Sequence, residues 1–413
     1  MKLLIVTQYF PPEVGAPQNR LYELAIRLIK AGVEVHVLTA MPNYPIGEIF
    51  DNYKDKDYLF ENMNGMSVHR AGIYATQSKS ISKRLRNYFS FVHSSYQIGK
   101  KHLHGDFDFV MCESPPLFLG MTALRLAKRF GAKFIFNVSD LWPESAEKLG
   151  LVENKFFLNL AYKLERYLYK KADLVTGQTQ GIVKNINLRF PEVKTYWLPN
   201  GVDLAYFSPD KTEPRPLRAE FGFSSEDILF LYAGILGHAQ GLEIILKAAD
   251  LLRNERKVKF IFVGTGPLKS DLLAMKDKRN LSNVFFMDVV SKDEMPQLIQ
   301  AVDVALVPLK RLELFKGAIP SKIFENCAMK KMLLLGVEGE AKDLFIDQGQ
   351  AGLFFTPEHV EDLVKVINHI VKSPEIIKMH GNKAREFVDK NFNRNEIATN
   401  FFHQLKKLQV QEQ

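Results

Sequence analysis

Cysteine is scarce: Cys112 and Cys327 are the only two in 413 residues. They lie far apart in apolar contexts, which excludes a disulfide framework and favours a reducing, cytoplasmic setting. Long apolar runs are absent too. Nothing approaches the ~18 residues that begin to span a bilayer, so no transmembrane helix is expected. The opening Met1-Lys2-Leu3-Leu4-Ile5-Val6-Thr7-Gln8 is too short an apolar run for a signal peptide and reads as a first strand. No low-complexity tract or internal repeat occurs. There is no Gly-x-Ser-x-Gly elbow and no Walker-type Gly-Lys-Ser/Thr run, which excludes those two hydrolase designs. No His, Cys, Asp and Glu cluster has metal spacing, and no metal is expected. Asp106-Phe107-Asp108 has Asp-x-Asp spacing but precedes a strand, where a turn flank is the simpler role.

Charge is uneven. Residues 1–200 hold 26 Lys and Arg against 18 Asp and Glu, whereas residues 201–413 hold 29 of each. The whole excess of +8 therefore lies in the first half. Such a surface suits a nucleic acid, an anionic membrane face or a phosphate-bearing acceptor, or is simply a basic solvated surface.

Short apolar runs alternate with helix-period segments along the chain. The runs are Leu3–Thr7, Val33–Thr39, Phe109–Cys112, Lys133–Val138, Leu174–Gly177 and Thr195–Leu198, then Ile228–Ala233, Lys259–Val263, Val284–Met287, Val304–Val307 and Met332–Leu335. Between the first two, Arg20, Leu21, Leu24, Ala25, Leu28 and Ile29 mark one face of a helix. Continuous apolar strands between amphipathic helices predict a parallel sheet covered on both faces. The pattern restarts after Asn200-Gly201-Val202-Asp203 and a polar, Pro-containing stretch. This predicts two doubly wound α/β domains, 1–203 and 204–390. A last helical segment, 391–413, packs on either one, crossing back to the first in one of the two cases.

Several loops follow strands in a way that suits ligand chemistry. The first strand runs into Tyr9-Phe10-Pro11-Pro12-Glu13-Val14-Gly15-Ala16-Pro17, where Gly15 permits a close backbone approach and a helix begins. Ser139-Asp140-Leu141-Trp142-Pro143 follows another strand. Asp140 there either orients a sugar hydroxyl or caps a helix, and Trp142 offers a stacking face for sugar or lipid. Gly234-Ile235-Leu236-Gly237-His238-Ala239-Gln240-Gly241 has the strand–Gly loop–helix layout that cradles phosphates, with His238 a surface residue. Gly264-Thr265-Gly266-Pro267 is a second such turn. A dinucleotide fingerprint needs a third glycine where Lys269 stands, which argues against a nicotinamide or flavin site. Pro320-Ser321-Lys322-Ile323-Phe324-Glu325 opens a helix on which a hydroxyl and an ammonium can meet a diphosphate, with Glu325 one turn on for ribose hydroxyls. Finally, Ile81, Leu85, Tyr88, Phe89, Val92 and Tyr96 sit at helical spacing among Lys79, Lys83, Arg84, Arg86, Lys100 and Lys101. That helix rests on an anionic membrane or faces the core with a solvated basic side.

Taken in order, these loops, with Pro199-Asn200-Gly201-Val202-Asp203 at the junction, resemble glycosyltransferase family 4 over nearly the whole chain. Phe10-Pro11-Pro12-Glu13, Ser139–Pro143 and Pro320-Ser321-Lys322 are similar to the subgroup that builds bacterial O-antigens and capsules with N-acetyl-fucosamine-like donors. The resemblance implies a GT-B fold, two Rossmann-like domains facing a cleft. It implies retaining transfer from a UDP-sugar to a glycan acceptor carried on a lipid diphosphate or free in solution. The enzyme would use no metal and no nucleic acid, and would sit in the cytoplasm or peripherally on the inner membrane face. Gly15, Gly234, Gln240, Gly264, Gly266, Ser321, Lys322 and Glu325 are expected to bind donor, Glu13, Arg20 and Trp142 acceptor, and Asp140 and Lys322 to serve catalysis. Two departures stand out. The family's diphosphate clamp, an Arg and a Lys, is replaced by Ile235 and Gln240, and the first of its two glutamates falls at Gly317. Two alternatives stand beside this reading: a UDP-sugar 2-epimerase, which keeps the fold and changes the reaction, and a non-catalytic nucleotide- or glycan-binding protein, which the two departures keep open.

Overall fold

A computed structural model of the chain describes residues 1–78, 80–148, 150 and 152–410. The chain divides into two compact units, Met1–Asn200 with Arg394–Gln413, and Gly201–Asn393. The division falls after Asn200 rather than after residue 203, and the second unit ends at Asn393 rather than 390. The reason is local: the Val202 amide donates to the Phe392 carbonyl at 2.9 Å, and Val202 bridges Asn393 in parallel. Residues just past Asn200 are thereby tied to the last turn of the second unit.

The first unit holds β1 (Lys2–Val6), β2 (Glu34–Ala40), β3 (Tyr58–Met63), β4 (Met66–Ala71), β5 (Phe109–Ser114), β6 (Lys133–Val138), β7 (Leu174–Gly177) and β8 (Thr195–Trp197). They form one sheet in the order β3-β4-β2-β1-β5-β6-β7-β8. Every neighbouring pair is parallel except β3 with β4. That antiparallel hairpin departs from the all-parallel expectation. It turns at Asn64-Gly65, both with positive φ (50° and 85°), the backbone that a two-residue hairpin loop requires. Both sheet faces are covered, as the apolar strands demand. Leu3 and Ile5 join the helix Ala16–Lys30 through Leu21, Leu24 and Leu28, while Leu4 and Val6 join Phe91, Ala123 and Leu126 on the opposite face.

The terminal helix Arg394–Val410 completes the first of these layers. Phe401, Leu405 and Leu408 are buried in the same cluster as Leu3 and Ile5. Gln409 donates to Asp108 Oδ1 at 2.7 Å, and the Asp108 Oδ2 atom accepts from the Lys2 amide at 2.6 Å. The Asp-x-Asp spacing is therefore a strand-end tie.

The basic helix Ile81–His102 turns most of its apolar residues inward. Phe91 and Val92 are buried and Leu85, Tyr88 and Tyr96 partly so, which leaves Phe89 at 45% exposure. Lys79 and the side chain of Ile81 lie outside the described residues. The amphipathic pattern noted here is thus mainly a core-facing one.

The second unit holds β9 (Ile228–Ala233), β10 (Val258–Val263), β11 (Val284–Met287), β12 (Val304–Pro308), β13 (Met332–Gly336) and β14 (Gly352–Phe354), all parallel in the order β11-β10-β9-β12-β13-β14. Counted within the unit this is 3-2-1-4-5-6, the Rossmann order, and without β3 the first unit follows the same winding. Each sheet therefore has a point where the strand order reverses, between β1 and β5 and between β9 and β12. Ligands of open α/β sheets bind beyond the strand ends at such points. No described helix is long and apolar enough to cross a membrane.

If the terminal helix is part of the first unit's core, Phe401→Ala should destabilise that unit by about 3–5 kcal/mol in urea unfolding, the usual effect of truncating a buried phenylalanine. Met379→Ala, at a residue 44% exposed, should change it by less than about 0.5 kcal/mol. An unchanged Phe401→Ala transition would detach the helix from the core.

Candidate functional site

The loop leaving β1 is held by two buried charges. Glu13 is 1% exposed; its Oε1 accepts the amides of Asn43 and Tyr44, both at 2.8 Å, and its Oε2 that of Phe10 at 3.1 Å. Burial raises its carboxyl pKa, opposed by those amides and by Arg70. Arg70 is fully buried, pairs with Glu61 at 2.5 Å and donates to the Pro11 carbonyl at 2.5 Å. Glu13 was expected on an acceptor; both its oxygens instead fasten this loop to the one after β2.

Arg20 has a similar fate. It is 7% exposed, and its Nη2 donates to Glu113 Oε1 at 2.5 Å and to Ser139 Oγ at 2.6 Å. Glu113 also accepts from Asn137 and from Ser139, and Asn137 accepts from Thr176 at 2.5 Å. This network crosses the carboxyl ends of β5, β6 and β7 and ties them to the helix that follows Gly15. Arg20 is a positioning residue, expected at an acceptor but engaged inside the protein. Gly15 precedes that helix with extended backbone (φ −178°) that any residue adopts. A Cβ there would stand 2.4 Å from Gln18 Oε1, so a larger residue would displace the end of that side chain. That buried oxygen has no partner among the described residues.

Asp140 and Trp142 do come together. They line a cavity of about 200 Å³ with Arg84, Leu85, Tyr88 and Phe157. Asp140 accepts from Ser145 Oγ at 2.7 Å; burial raises its pKa, with that hydroxyl and the Leu141 amide opposing. Trp142 packs edge-on against Phe118 and Phe157, with centroids 5.4 and 6.4 Å away. The result is an aromatic pocket carrying one carboxyl and one guanidinium.

In the second unit the loops leaving β9 and β10 pair with each other. Gly234 donates to Val263 and Leu236 to Thr265, each at 2.9 Å, and Leu268 donates back to Leu236 at 3.0 Å. Gly264 (φ +142°) and Gly266 (φ +156°) are needed for this contact. A Cβ would meet the Gly234 carbonyl oxygen at 2.0 Å and the Leu236 one at 2.4 Å. These two glycines, expected against the donor, serve the approach of one loop to the other.

Gly234 has a different neighbour. Lys322 Nζ lies 2.9 Å from where its Cβ would be and 3.8 Å from the centre of the Tyr232 ring. The Tyr232 hydroxyl is fixed by the Ile235 carbonyl at 2.7 Å. Burial lowers the lysine pKa from 10.5 to about 7, with Glu325 opposing. Ser321 makes no capping bond, and the helix Lys322–Ala328 has only seven residues. Positive charge at this loop therefore rests on the ammonium more than on a helix end. Gln240 ends a 3-10 turn, His238–Gln240, with its amide oxygen against Gly237. Around Gly317 nothing lies within 4 Å of a Cβ position. Among the described residues no group of three or more His, Cys, Asp or Glu could hold a metal ion.

Sequence reasoning missed Glu113, Asn137 and Tyr232. The signal for Glu113 was present: a carboxylate closing the apolar strand Phe109–Ser114 has to find a buried partner.

Comparison with known proteins decides the family. The glycosyl transferase 4-like domain matches residues 15–201 and the glycosyl transferases group 1 model residues 215–387. The chain is a glycosyltransferase of family 4. It is 27% identical over 98% of its length, and all of the relative's, to the Escherichia coli K12 protein described as a colanic acid biosynthesis glycosyl transferase, WcaI. Among solved structures it resembles sucrose-phosphate synthase from Thermosynechococcus elongatus (TM-score 0.75, 17% identity, 98% of each chain). It also resembles HepE of Anabaena in complex with UDP and glucose (TM-score 0.71, 16% identity, 98% of this chain and 100% of that one). The fold is GT-B, and the two loop groups above belong to a transferase.

The Arg20–Glu113 pair supplies a test of the first group. Arg20→Ala leaves a buried carboxylate without its cation and should cost about 3–5 kcal/mol of stability in denaturant unfolding. A loss below about 1 kcal/mol, the range of an exposed pair, would show that the network does not hold the loop.

Proposed function

We propose that this glycosyltransferase moves a sugar, N-acetyl-fucosamine or a related amino sugar, from UDP to a glycan on a lipid diphosphate, with retention, in building a bacterial surface polysaccharide. The observation that carries the reading is Lys322, an ammonium held against Gly234 and the Tyr232 ring with its pKa lowered to about 7. A site that keeps a lysine near half-protonation in the absence of ligand suits the arrival of an anion, which restores the charge. The likeness to WcaI, described by its colanic acid role, supports the pathway, and that to HepE, solved with UDP, supports the donor.

In the proposed reaction an acceptor hydroxyl attacks the anomeric carbon on the face the nucleotide leaves. The new C–O bond forms as the bond to the β-phosphate breaks, and a leaving phosphate oxygen takes the hydroxyl proton. Lys322 stabilises the charge that develops on the diphosphate, so no metal is required. Glu325 holds the ribose. Asp140, in its aromatic pocket, orients a sugar hydroxyl of donor or acceptor, with Trp142 stacking beside it.

Proton linkage tests this directly. Calorimetric titration with UDP at pH 8, in buffers of different ionisation enthalpy, should show uptake of up to one proton. Affinity should fall as pH rises above about 7, because binding must then protonate a neutral lysine. Both effects should vanish in Lys322→Met and survive a metal chelator. Turnover of Lys322→Ala should drop about 100-fold or more, as on loss of one charge-stabilising donor. Pure nucleotide release or 2-epimerisation without acceptor would replace the transfer reading. Wild-type rates in a folded Lys322→Ala protein would remove the lysine from it.

A further inference from the structure

The helix Lys155–Lys171 has two apolar stripes. One is buried in the first unit through Leu158, Ala161 and Leu168. The other faces solvent: Phe156 is 78% exposed, Leu160 57% and Tyr167 45%. Steps of four and seven residues place these three on one side of a 3.6-residue helix. An ordinary outer helix face is polar, so a second apolar stripe calls for a partner.

Charge narrows the choice. All five Lys and Arg residues of the helix are exposed. Its one carboxylate, Glu165, is buried and held by Arg189. Lys163 falls within the stripe and Arg166 on its flank, while Lys170 pairs with Glu192 at 2.7 Å. Protein interface cores are depleted of lysine, whereas a basic helix face with exposed aromatic and leucine side chains matches an anionic headgroup layer.

We propose that the outer face of Lys155–Lys171 docks the first unit on an anionic bilayer surface. Phe156, Leu160 and Tyr167 enter the headgroup boundary, and Lys163 and Arg166 meet lipid phosphates. Docking there brings the Asp140 cavity close to lipid, since Phe157 of the same helix forms part of its wall. The inference does not depend on which sugar is transferred, or on whether one is.

Flotation of the full chain with vesicles tests it, using equimolar phosphatidylglycerol and phosphatidylcholine against phosphatidylcholine alone. Binding is expected on the anionic vesicles only, weakening with salt. Phe156→Ser/Leu160→Ser and Lys163→Glu/Arg166→Glu should each lower it about tenfold or more, at unchanged thermal unfolding, because exposed side chains are altered. Phe89→Ser, on the helix Ile81–His102, should bind as the parent does. No flotation at low salt overturns the proposal. So does undiminished binding by the two double variants, or a loss confined to Phe89→Ser. A stripe that instead joins protein copies would show as a dimer, in light scattering, that Phe156→Ser/Leu160→Ser dissociates, and that result overturns it too.

Discussion

The first unit depends on one buried ion pair. Arg20 enters the protein on the helix after β1, Glu113 closes β5, and they meet at 2.5 Å where both are almost wholly out of water. Burying either alone would cost several kcal/mol, so neither is tolerable without the other. The pair therefore fixes the helix relative to the sheet at the point where the strand order reverses. Asn137, Ser139 and Thr176 satisfy the remaining oxygens and extend the constraint across three strands. Asp140 follows directly on Ser139, so the carboxyl that lines the aromatic cavity begins where the network ends.

Glu13 and Arg70 do for the loop what Arg20 and Glu113 do for the helix. A long loop rich in proline has few amides to hold it, and a buried carboxylate that takes one of its own and two from the loop after β2 substitutes for secondary structure. Charged residues near the strand ends of this unit act mostly on the protein itself, leaving an aromatic pocket with one carboxyl. The second unit uses glycines instead. Loops that touch backbone to backbone at Gly234, Gly264 and Gly266 need no charged fastening, and Lys322 stands beside Gly234 with Glu325 one turn on.

Much of the fold was legible because its cause is local. Continuous apolar strands between one-sided helices can only make covered parallel sheets, and the runs from Leu3–Thr7 to Met332–Leu335 lie on strands. The hairpin at β3 and β4 was passed over, although Asn64-Gly65 between alternating residues is the usual mark of one. Strand β14, three residues long, carries no periodicity to read. The site was less legible, and for a consistent reason. Sequence gives residue type and order but not which way a side chain faces. Glu13 and Arg20 look like ligand residues because they are charged and near a loop; only burial reveals that their partners are internal. The helix Lys155–Lys171 shares the basic and aromatic composition of Ile81–His102, the one segment singled out for it from the sequence. Among the described residues, packing leaves one large exposed apolar side chain on Ile81–His102 and three on Lys155–Lys171.

The substitutions at Ile235 and Gln240 bear on how such a site works. The family resemblance implies an arginine and a lysine at these positions, where they would hold permanent charge near the nucleotide. Here Ile235 is 59% exposed and uncharged, and Gln240 is turned against its own loop. A single lysine then has to meet the diphosphate on the proposed reading. An arginine at position 322 would stay charged throughout, because its pKa is too high for burial to neutralise. With a pKa lowered to about 7, Lys322 is only partly protonated near neutral pH when the site is empty, and on the proposed reading an entering anion draws it back to full charge. On that reading the free enzyme holds less than a full cation against Tyr232 and Gly234, with Glu325 offsetting part of the burial, and the charge is completed by the phosphate it stabilises. The uncharged Ile235 and Gln240 and the depressed pKa of Lys322 are then, on the proposed reading, parts of one arrangement.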